Sequence, residues 1–497
     1  MDPANADRLS ALDAAFLHLE GPSTPMHVGA VSIFEGARLR DSRGWLDQPR
    51  LIRRIEARLD RVPRFRQKLA FVPLGQGRPL WVDDSHFNIR YHVRMSALPA
   101  PGDDASLAAL VGRLMSQQLD RHRPLWELDV VDGLAGDRVA LVWKTHHGMV
   151  DGVAGMELAA HLFDADDDTP EPPPPAPFVA RPAPSEALRL VDAWIERATL
   201  DSARGRTLRE ALRTPRETLA RLDDLREGMV SLVGGGFAPR TSLNRPIGPH
   251  RRFVGRTVAL ARAKAVKNAL GGTVNDVVLA AVAGALRALL LERREAVRGL
   301  ELHALVPVSV RDAAQAGALG NRVSALVVGL PVGEADPRRR HATLVARTAE
   351  LKRSHEMVGA QMLTSFSGFA PATLLQQAVR LQWAQRFVNL VVTNVPGPQF
   401  PLYFAGARLR EVFPCVPLAP NLTMSVAVVS YAGALCFGLM GDWDAMADLE
   451  RFGAELDAAF AELESLAGAA GRPRPAARRA SRSVRAAPRR AAPRRRT

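Results

Sequence analysis

Cysteine is the first thing this chain lacks: it has two, Cys415 and Cys436, in 497 residues. Two cysteines exclude a disulfide framework, and their spacing is not that of a zinc site. A reducing, cytoplasmic setting is the expectation. The N-terminus, Met1-Asp2-Pro3-Ala4-Asn5, has neither the basic start nor the apolar stretch of a secretory signal. No G-x-S-x-G occurs, which leaves a lipase-like nucleophile elbow unsupported. No P-loop or dinucleotide fingerprint occurs either. Long hydrophobic runs are scarce. The one uncharged stretch of note, Val412 to Gly441, is broken by Pro414, Pro417 and Pro420. Its remainder reads as two apolar strands, Leu422–Val429 and Ala434–Met440, around a Ser430–Gly433 turn, and not as a membrane span.

Acidic residues are missing from one place only. Residues 471–497 hold 11 arginines and no acid, and this Ala/Pro/Arg tail carries most of the formal charge of +14. It is expected to be disordered. The rest is near neutral, with ordinary globular composition at 47% apolar and 24% charged residues.

The chain organises into two α/β blocks, 1–165 and 246–470, joined by a Pro-rich and helical linker, 166–245. Residues 168–184 contain eight prolines, which excludes core helix or central strand. In the first block, strands are expected at Val28–Phe34, Asn88–Val93 and Val139–Thr145, with helical spacing at Leu51–Val62 and Ser106–Leu119. In the second, strands are expected at Phe253–Leu260, Leu302–Val310, Val323–Pro331 and Asn389–Thr393. Helices are expected at Thr273–Glu292, Arg338–Ser354 and Pro371–Gln385. Two similar blocks imply a site at their junction.

The richest local pattern is His146-His147-Gly148-Met149-Val150-Asp151-Gly152. A strand-like run delivers the two histidines, and alternation sends them to opposite sides, one toward a cleft and one inward. Histidine takes and returns a proton near neutral pH without a metal. Asp151 would orient an imidazole or hold the turn, and Gly152 permits close backbone approach. Metal binding by His147 and Asp151 lacks a third ligand. His146 and Asp151 also satisfy the HxxxxD spacing of glycerolipid acyltransferases, but the doubled histidine argues against that family. Asn275 opens a helix after Gly271-Gly272-Thr273-Val274, as an oxyanion donor or as a simple capping residue.

Further motifs lie along the chain. They are Leu9–Phe16 with Pro25-Met26-His27, Pro124-Leu125-Trp126, Asn244–Arg252, Asn275-Asp276, Pro307–Arg311 and Asn394-Val395-Pro396-Gly397-Pro398. Together with the histidine motif they make the chain resemble the bacterial wax ester synthase/acyl-CoA:diacylglycerol acyltransferase family over nearly its whole length. Arg245 stands where that family would have a small residue. The resemblance implies two chloramphenicol acetyltransferase-like α/β domains with an active-site tunnel at their junction. It implies acyl transfer from long-chain acyl-CoA, a substrate, to diacylglycerol or, second, fatty alcohol, without cofactor or metal. His147 is then the general base, with His146 supportive and Asp151 structural, partnered by Arg311. Gly152, Asn275, Asp276, Trp126, Arg311 and Asn394 would line or shape the substrate site. Lipid substrates imply peripheral attachment to the inner face of a membrane or to lipid inclusions. The apolar stretch Met362–Val392 and the basic tail are the candidate contacts, the latter binding anionic headgroups or nucleic acid non-specifically. An idle lipid-binding scaffold and a condensation-type enzyme with another acceptor are the rivals.

Overall fold

The computed structural model describes residues 8–149, 161–173, 177–196, 198, 237–309, 323–351, 353 and 387–470. The chain opens with helix α1 (Ala11–Leu19), begun by Ser10, whose hydroxyl accepts from the Asp13 N–H at 3.0 Å. There follow β1 (His27–Glu35), α2 (Gln48–Glu56), β2 (Gln67–Ala70) and β3 (Leu80–Asp83). Next come the short α3 (Ile89–His92), β4 (Val93–Ala97), α4 (Asp104–Ser116), β5 (Trp126–Leu134) and β6 (Arg138–His146). After the crossover come β7 (Arg251–Ala259), α5 (Leu260–Leu270), α6 (Val274–Glu292), β8 (Leu302–Ser309) and β9 (Val323–Leu330). The chain continues through β10 (Leu390–Pro396), β11 (Tyr403–Phe404), β12 (Ala407–Cys415), β13 (Met424–Tyr431), β14 (Ala434–Asp442) and α7 (Leu449–Ala470).

Two six-stranded sheets result. The first runs β11-β12-β1-β6-β5-β4 and the second β7-β14-β13-β10-β8-β9. In the first only the β4–β5 pair is parallel; in the second β10 runs parallel to both β13 and β8. Strand alternation divides the core into layers. Val139 and Leu141 of β6 face a cluster with Leu51, Ile55 and Phe65, while Ala140 and Val142 face α4 through Leu107, Val111 and Met115. That second cluster also takes in Phe253, Val429 and Met440 of the second sheet, so α4 and the two sheets share one core. The far face of the second sheet is covered by α5, α6 and α7.

The sheets approach closely where glycine removes a side chain. A Cβ on Gly438 of β14 would lie 1.7 Å from the Pro414 carbonyl oxygen, and one on Gly112 of α4 would lie 2.5 Å from that of Arg251. Arg251 itself is buried, and its guanidinium donates to the carbonyl of Ser23 at 2.6 Å and to that of Gly248 at 2.7 Å. Its N–H donates to the Ser116 hydroxyl at 2.9 Å. The Asn244–Arg252 motif thus clamps the second half onto the first.

The uncharged stretch forms the expected hairpin. β13 and β14 pair antiparallel across Ala432 and Gly433, both at positive φ, the turn that matches strand twist. One helix among the described residues, Val274–Glu292, is long and apolar enough to cross a membrane, but 67% of its apolar window is buried in the core of the second half.

Two expectations are corrected. Asn88–Val93 is not a strand: Asn88 caps α3 by accepting from the Arg90 N–H at 3.0 Å, and the strand starts only at Val93. The sheets do not divide at one point of the chain. β12 pairs with β1 in the first sheet although it comes from the second block, and so satisfies the backbone groups on the edge of β1 that β6 leaves open. The Pro-rich start of the linker is strapped down. Buried Arg54 donates to the Asp164 carboxylate at 2.9 Å and the Thr169 carbonyl at 3.2 Å, and Arg50 reaches Glu171 at 2.5 Å. The expected helix 371–385, most of the apolar stretch 362–392 and the tail lie outside the described residues.

Candidate active site

β6 ends at His146, directly across from His27 of β1. From there the chain turns. The His147 N–H donates to the Met26 carbonyl at 2.8 Å and the Met149 N–H to the His146 carbonyl at 2.9 Å. The two imidazoles then diverge as strand alternation requires. His146 is wholly buried, on the face shared with Lys144 and α4. His147 is half-buried, and its ring lies flat on Phe16 of α1, with centroids 3.9 Å apart and planes 11° apart. A stacked ring with a tethered backbone is held in plane; its Nδ1 is buried, while the residue as a whole is only partly so.

His146 organises the turn. Its Nδ1 accepts the Gly148 N–H at 2.9 Å, and its Nε2 faces the Glu20 carboxylate at 3.6 Å. Glu20 also lies 3.1 Å from His27 Nε2 and accepts from Arg121 at 2.6 and 3.0 Å. The Leu119 N–H approaches the same His27 nitrogen from 3.4 Å, the weaker contact. Burial pushes the Glu20 carboxyl up, but the facing imidazoles of His146 and His27 outweigh it and hold it well below the usual carboxylate range. Burial drives His27 down to about 4, against the pull of Glu20 and with Lys144 adding to the fall, so the ring is neutral at pH 7.

Lys144 is likewise buried. Its ammonium pairs with Glu127 at 2.9 Å and caps α4 by donating to the Leu114 and Gln117 carbonyls at 3.2 and 3.1 Å.

In the second half, Asn394 of β10 donates its amide to the Asn275 side-chain oxygen at 3.3 Å. Two residues 119 positions apart are thereby joined at the N-terminus of α6. Asp276, expected at the substrate site, is instead taken up by the helix cap. Its carboxylate accepts from the Thr273 N–H at 2.7 Å and the Thr348 hydroxyl at 2.7 Å, closing a capping box. Trp126 is also core and not a pocket wall: it is fully buried, its indole N–H donates to the Phe65 carbonyl at 2.8 Å, and its ring stacks on Trp143 and His92. Asp151, Gly152 and Arg311 lie outside the described residues.

Glu20, Arg121 and a role for His27 and Phe16 were not anticipated from the sequence. His27 and Phe16 fall in N-terminal motifs, but only the β1–β6 register reveals that His27 meets His146. Nothing in local spacing ties Glu20 to Arg121, 101 positions away. A surface cavity of about 660 Å³, lined by Arg138, Thr257, Arg410 and Glu411 among others, lies at the opposite end of β6 from the histidines.

Comparison with known proteins completes the picture. The family model described as the wax ester synthase/diacylglycerol acyltransferase catalytic domain matches residues 9–278, and the WS/DGAT C-terminal domain matches 319–464. A probable diacylglycerol O-acyltransferase of Mycobacterium tuberculosis is 36% identical over 484 residues, covering 93% of this chain and all of its own. A second from that organism is 33% identical, covering 93% of this chain and 96% of its own. A solved wax ester synthase/diacylglycerol acyltransferase from Marinobacter aquaeolei VT8 superposes with a TM-score of 0.67 at 27% identity, over 93% of this chain and 100% of that one. The starter condensation domain of rhizomide synthetase shares the fold, with a TM-score of 0.54 at 14% identity, over 94% of this chain and 95% of that one.

Proposed function

The chain belongs to the wax ester synthase/diacylglycerol acyltransferase family, and we propose that it moves a long-chain acyl group from a coenzyme A thioester to the free hydroxyl of diacylglycerol, with fatty alcohol as second acceptor. His147 is the general base. As the hydroxyl oxygen attacks the thioester carbon, the imidazole takes its proton and the C–O bond forms. The oxyanion collapses, the C–S bond breaks, and the imidazolium returns the proton to the departing thiolate. A thioester is already activated, so the route uses no protein nucleophile, metal or cofactor. One observation carries the reading. Of the two adjacent histidines, one is sealed and spent on the turn, while the other is only partly buried, tethered to Met26 and stacked on Phe16.

In this reading the Asn275–Asn394 pair positions the acyl carbonyl, a role suited to an amide held at a helix N-terminus. Asp151 is assigned to holding the turn with Arg311 as its partner, and Gly152 to letting the chain's own backbone come close to the substrate. The tunnel runs between the two halves. The enzyme works in the cytoplasm, on the inner face of the membrane or on lipid inclusions, where both substrates gather. A described apolar surface supports this. In helical segment 186–196, Leu188, Val191, Trp194 and Ile195 are exposed, while Ala193 packs on Val72 and brings exposed Phe71 and Leu74 alongside.

The test is an acceptor panel with radiolabelled palmitoyl-CoA and separation of lipid products. Labelled triacylglycerol from diacylglycerol is expected, with wax ester from hexadecanol as the lesser product. His147→Ala, folded by circular dichroism, should lose about 10²–10⁴-fold in rate. Labelled amide at equal rates, or full activity in the variant, overturns the reading.

A further inference from the structure

The proposed chemistry does not itself use Glu20, yet this carboxylate is the hub of the buried cluster behind the histidines. It closes α1, where its own N–H donates to the Phe16 carbonyl at 3.0 Å. Its side chain is 2% exposed. Arg121 grips one oxygen through two nitrogens, at 2.6 and 3.0 Å, and is itself anchored on the Leu17 carbonyl at 3.0 Å. A buried carboxylate gripped in this way stays ionised and acts as an acceptor only. A ring nitrogen turned toward it is favoured with its proton on.

For His146 that preference has a consequence. Its Nδ1 accepts from the Gly148 N–H, and a ring nitrogen that accepts carries no proton. The neutral ring then has its proton on Nε2, the atom 3.6 Å from Glu20. The opposite tautomer would set an N–H against the Gly148 N–H and present a lone pair to a carboxylate. Glu20 selects the tautomer that lets His146 hold the turn. A second connection runs through Met26. Its N–H lies 3.4 Å from Glu20, and its carbonyl takes the His147 N–H at 2.8 Å.

We propose that Glu20 is a positioning residue for acyl transfer: with Arg121 behind it, it fixes the Nε2–H tautomer of His146 and the Met26 strand end, and so aims His147. This rests on His147 being the base. Glu20 touches no reacting atom. Its effect belongs to the rate of the chemical step and not to the binding of acyl-CoA. α1 gains a function here as well: through Phe16 it stacks on the His147 ring, and through Glu20 it fixes the backbone beneath that ring.

Two measurements test this. The first needs no variant. In wild-type protein labelled with ¹⁵N-histidine, the His146 resonances, assigned by difference against His146→Gln, should report the Nε2–H tautomer at pH 7.5. An Nδ1–H tautomer overturns the proposal. The second is Glu20→Gln, whose amide can offer His146 a donor in place of the anion. In the folded variant we expect kcat with palmitoyl-CoA and diacylglycerol to fall ten- to a hundredfold, KM for palmitoyl-CoA to stay within twofold, and the His146 tautomer to become mixed. A wild-type kcat, or a loss confined to KM, overturns it. The two readings fail separately: full activity in His147→Ala removes the base, whereas the tautomer of His146 is measured without turnover.

Discussion

Acid should weaken this protein through His27 before it protonates Glu20. The ring is buried between Glu20, at the end of α1, and Lys144 and His146 on β6, with Arg121 beyond Glu20. Burial lowers its pKa from the ordinary 6.5 to about 4. The folded protein thus binds fewer protons at this site than the unfolded chain between those two values, and stability must fall as pH drops through that window. At pH 5 the unfolded ring is almost wholly protonated and the folded one about one-tenth so. Integrating from pH 8 gives a loss of about 2 kcal/mol. Glu20 has the opposite charge type but the same sign of effect. Its lowered pKa contributes stability that starts to disappear only as pH falls below its ordinary 4.5, so pH 5 isolates the histidine. The assay is urea denaturation followed by tryptophan fluorescence at pH 8.0, 6.5 and 5.0, on wild type and on His27→Gln. The glutamine keeps a neutral donor toward Glu20 and removes the titration. Buried His92, also shifted down by its burial, is common to both proteins and cancels. Wild type should lose about 2 kcal/mol more than the variant between pH 8 and pH 5. Parallel pH dependence would refute the claim that this ring stays neutral because it is buried.

Two further outcomes are expected. Gly438→Ala puts a methyl into the Pro414 carbonyl, where the ideal Cβ would lie 1.7 Å away, and backbone there cannot yield without parting β14 from β12. A cost of about 1–3 kcal/mol is expected in thermal unfolding, and an unchanged melting temperature refutes the close approach. Replacing both Trp194 and Ile195 by Asp should leave turnover of detergent-dispersed substrate intact. It should also cut co-sedimentation with phosphatidylglycerol vesicles at least tenfold, since burying each side chain is worth about 1.5–3 kcal/mol; unchanged sedimentation refutes the membrane contact.

How far the sequence could be read depended on where its signals were local. β1, β6, β7, β8 and the β13–β14 hairpin were visible because each is an apolar run closed by turn residues. α6 was visible from its long apolar run, but its cap was not: Thr273 and Asp276, and not Asn275, close the box. β5 was hidden. Glu127 and Asp129 interrupt its apolar run as a solvent face would, but both are buried, Glu127 against Lys144 and Arg94 and Asp129 beside Ser96. Burial keeps Asp129 shifted upward, the mark of an acid in the wrong medium. Pairs made across a sheet carry no trace in spacing. For the same reason the histidine pair stood out while its support did not: adjacency is written in the sequence, and the register that sets His27 opposite His146 is not.

That support also explains why the motifs are spread along the whole chain. The strand that ends in the histidines lies beside β1, and β1 is closed on its other edge by β12, a strand from the far half. Met26, which holds His147, is three residues from Ser23, whose carbonyl is taken by Arg251 of the second half. A shift of one half against the other would pull on β1 along the edge it shares with β12 and on its approach through Arg251. The two contacts act on the same segment, the one that carries Met26 and His27. The aim of His147 is therefore a property of the assembled pair of sheets. Truncation after the first block should give a protein with the complete histidine motif but an open β1 edge, an unheld Ser23 and no acyl transfer, even where β6 still forms.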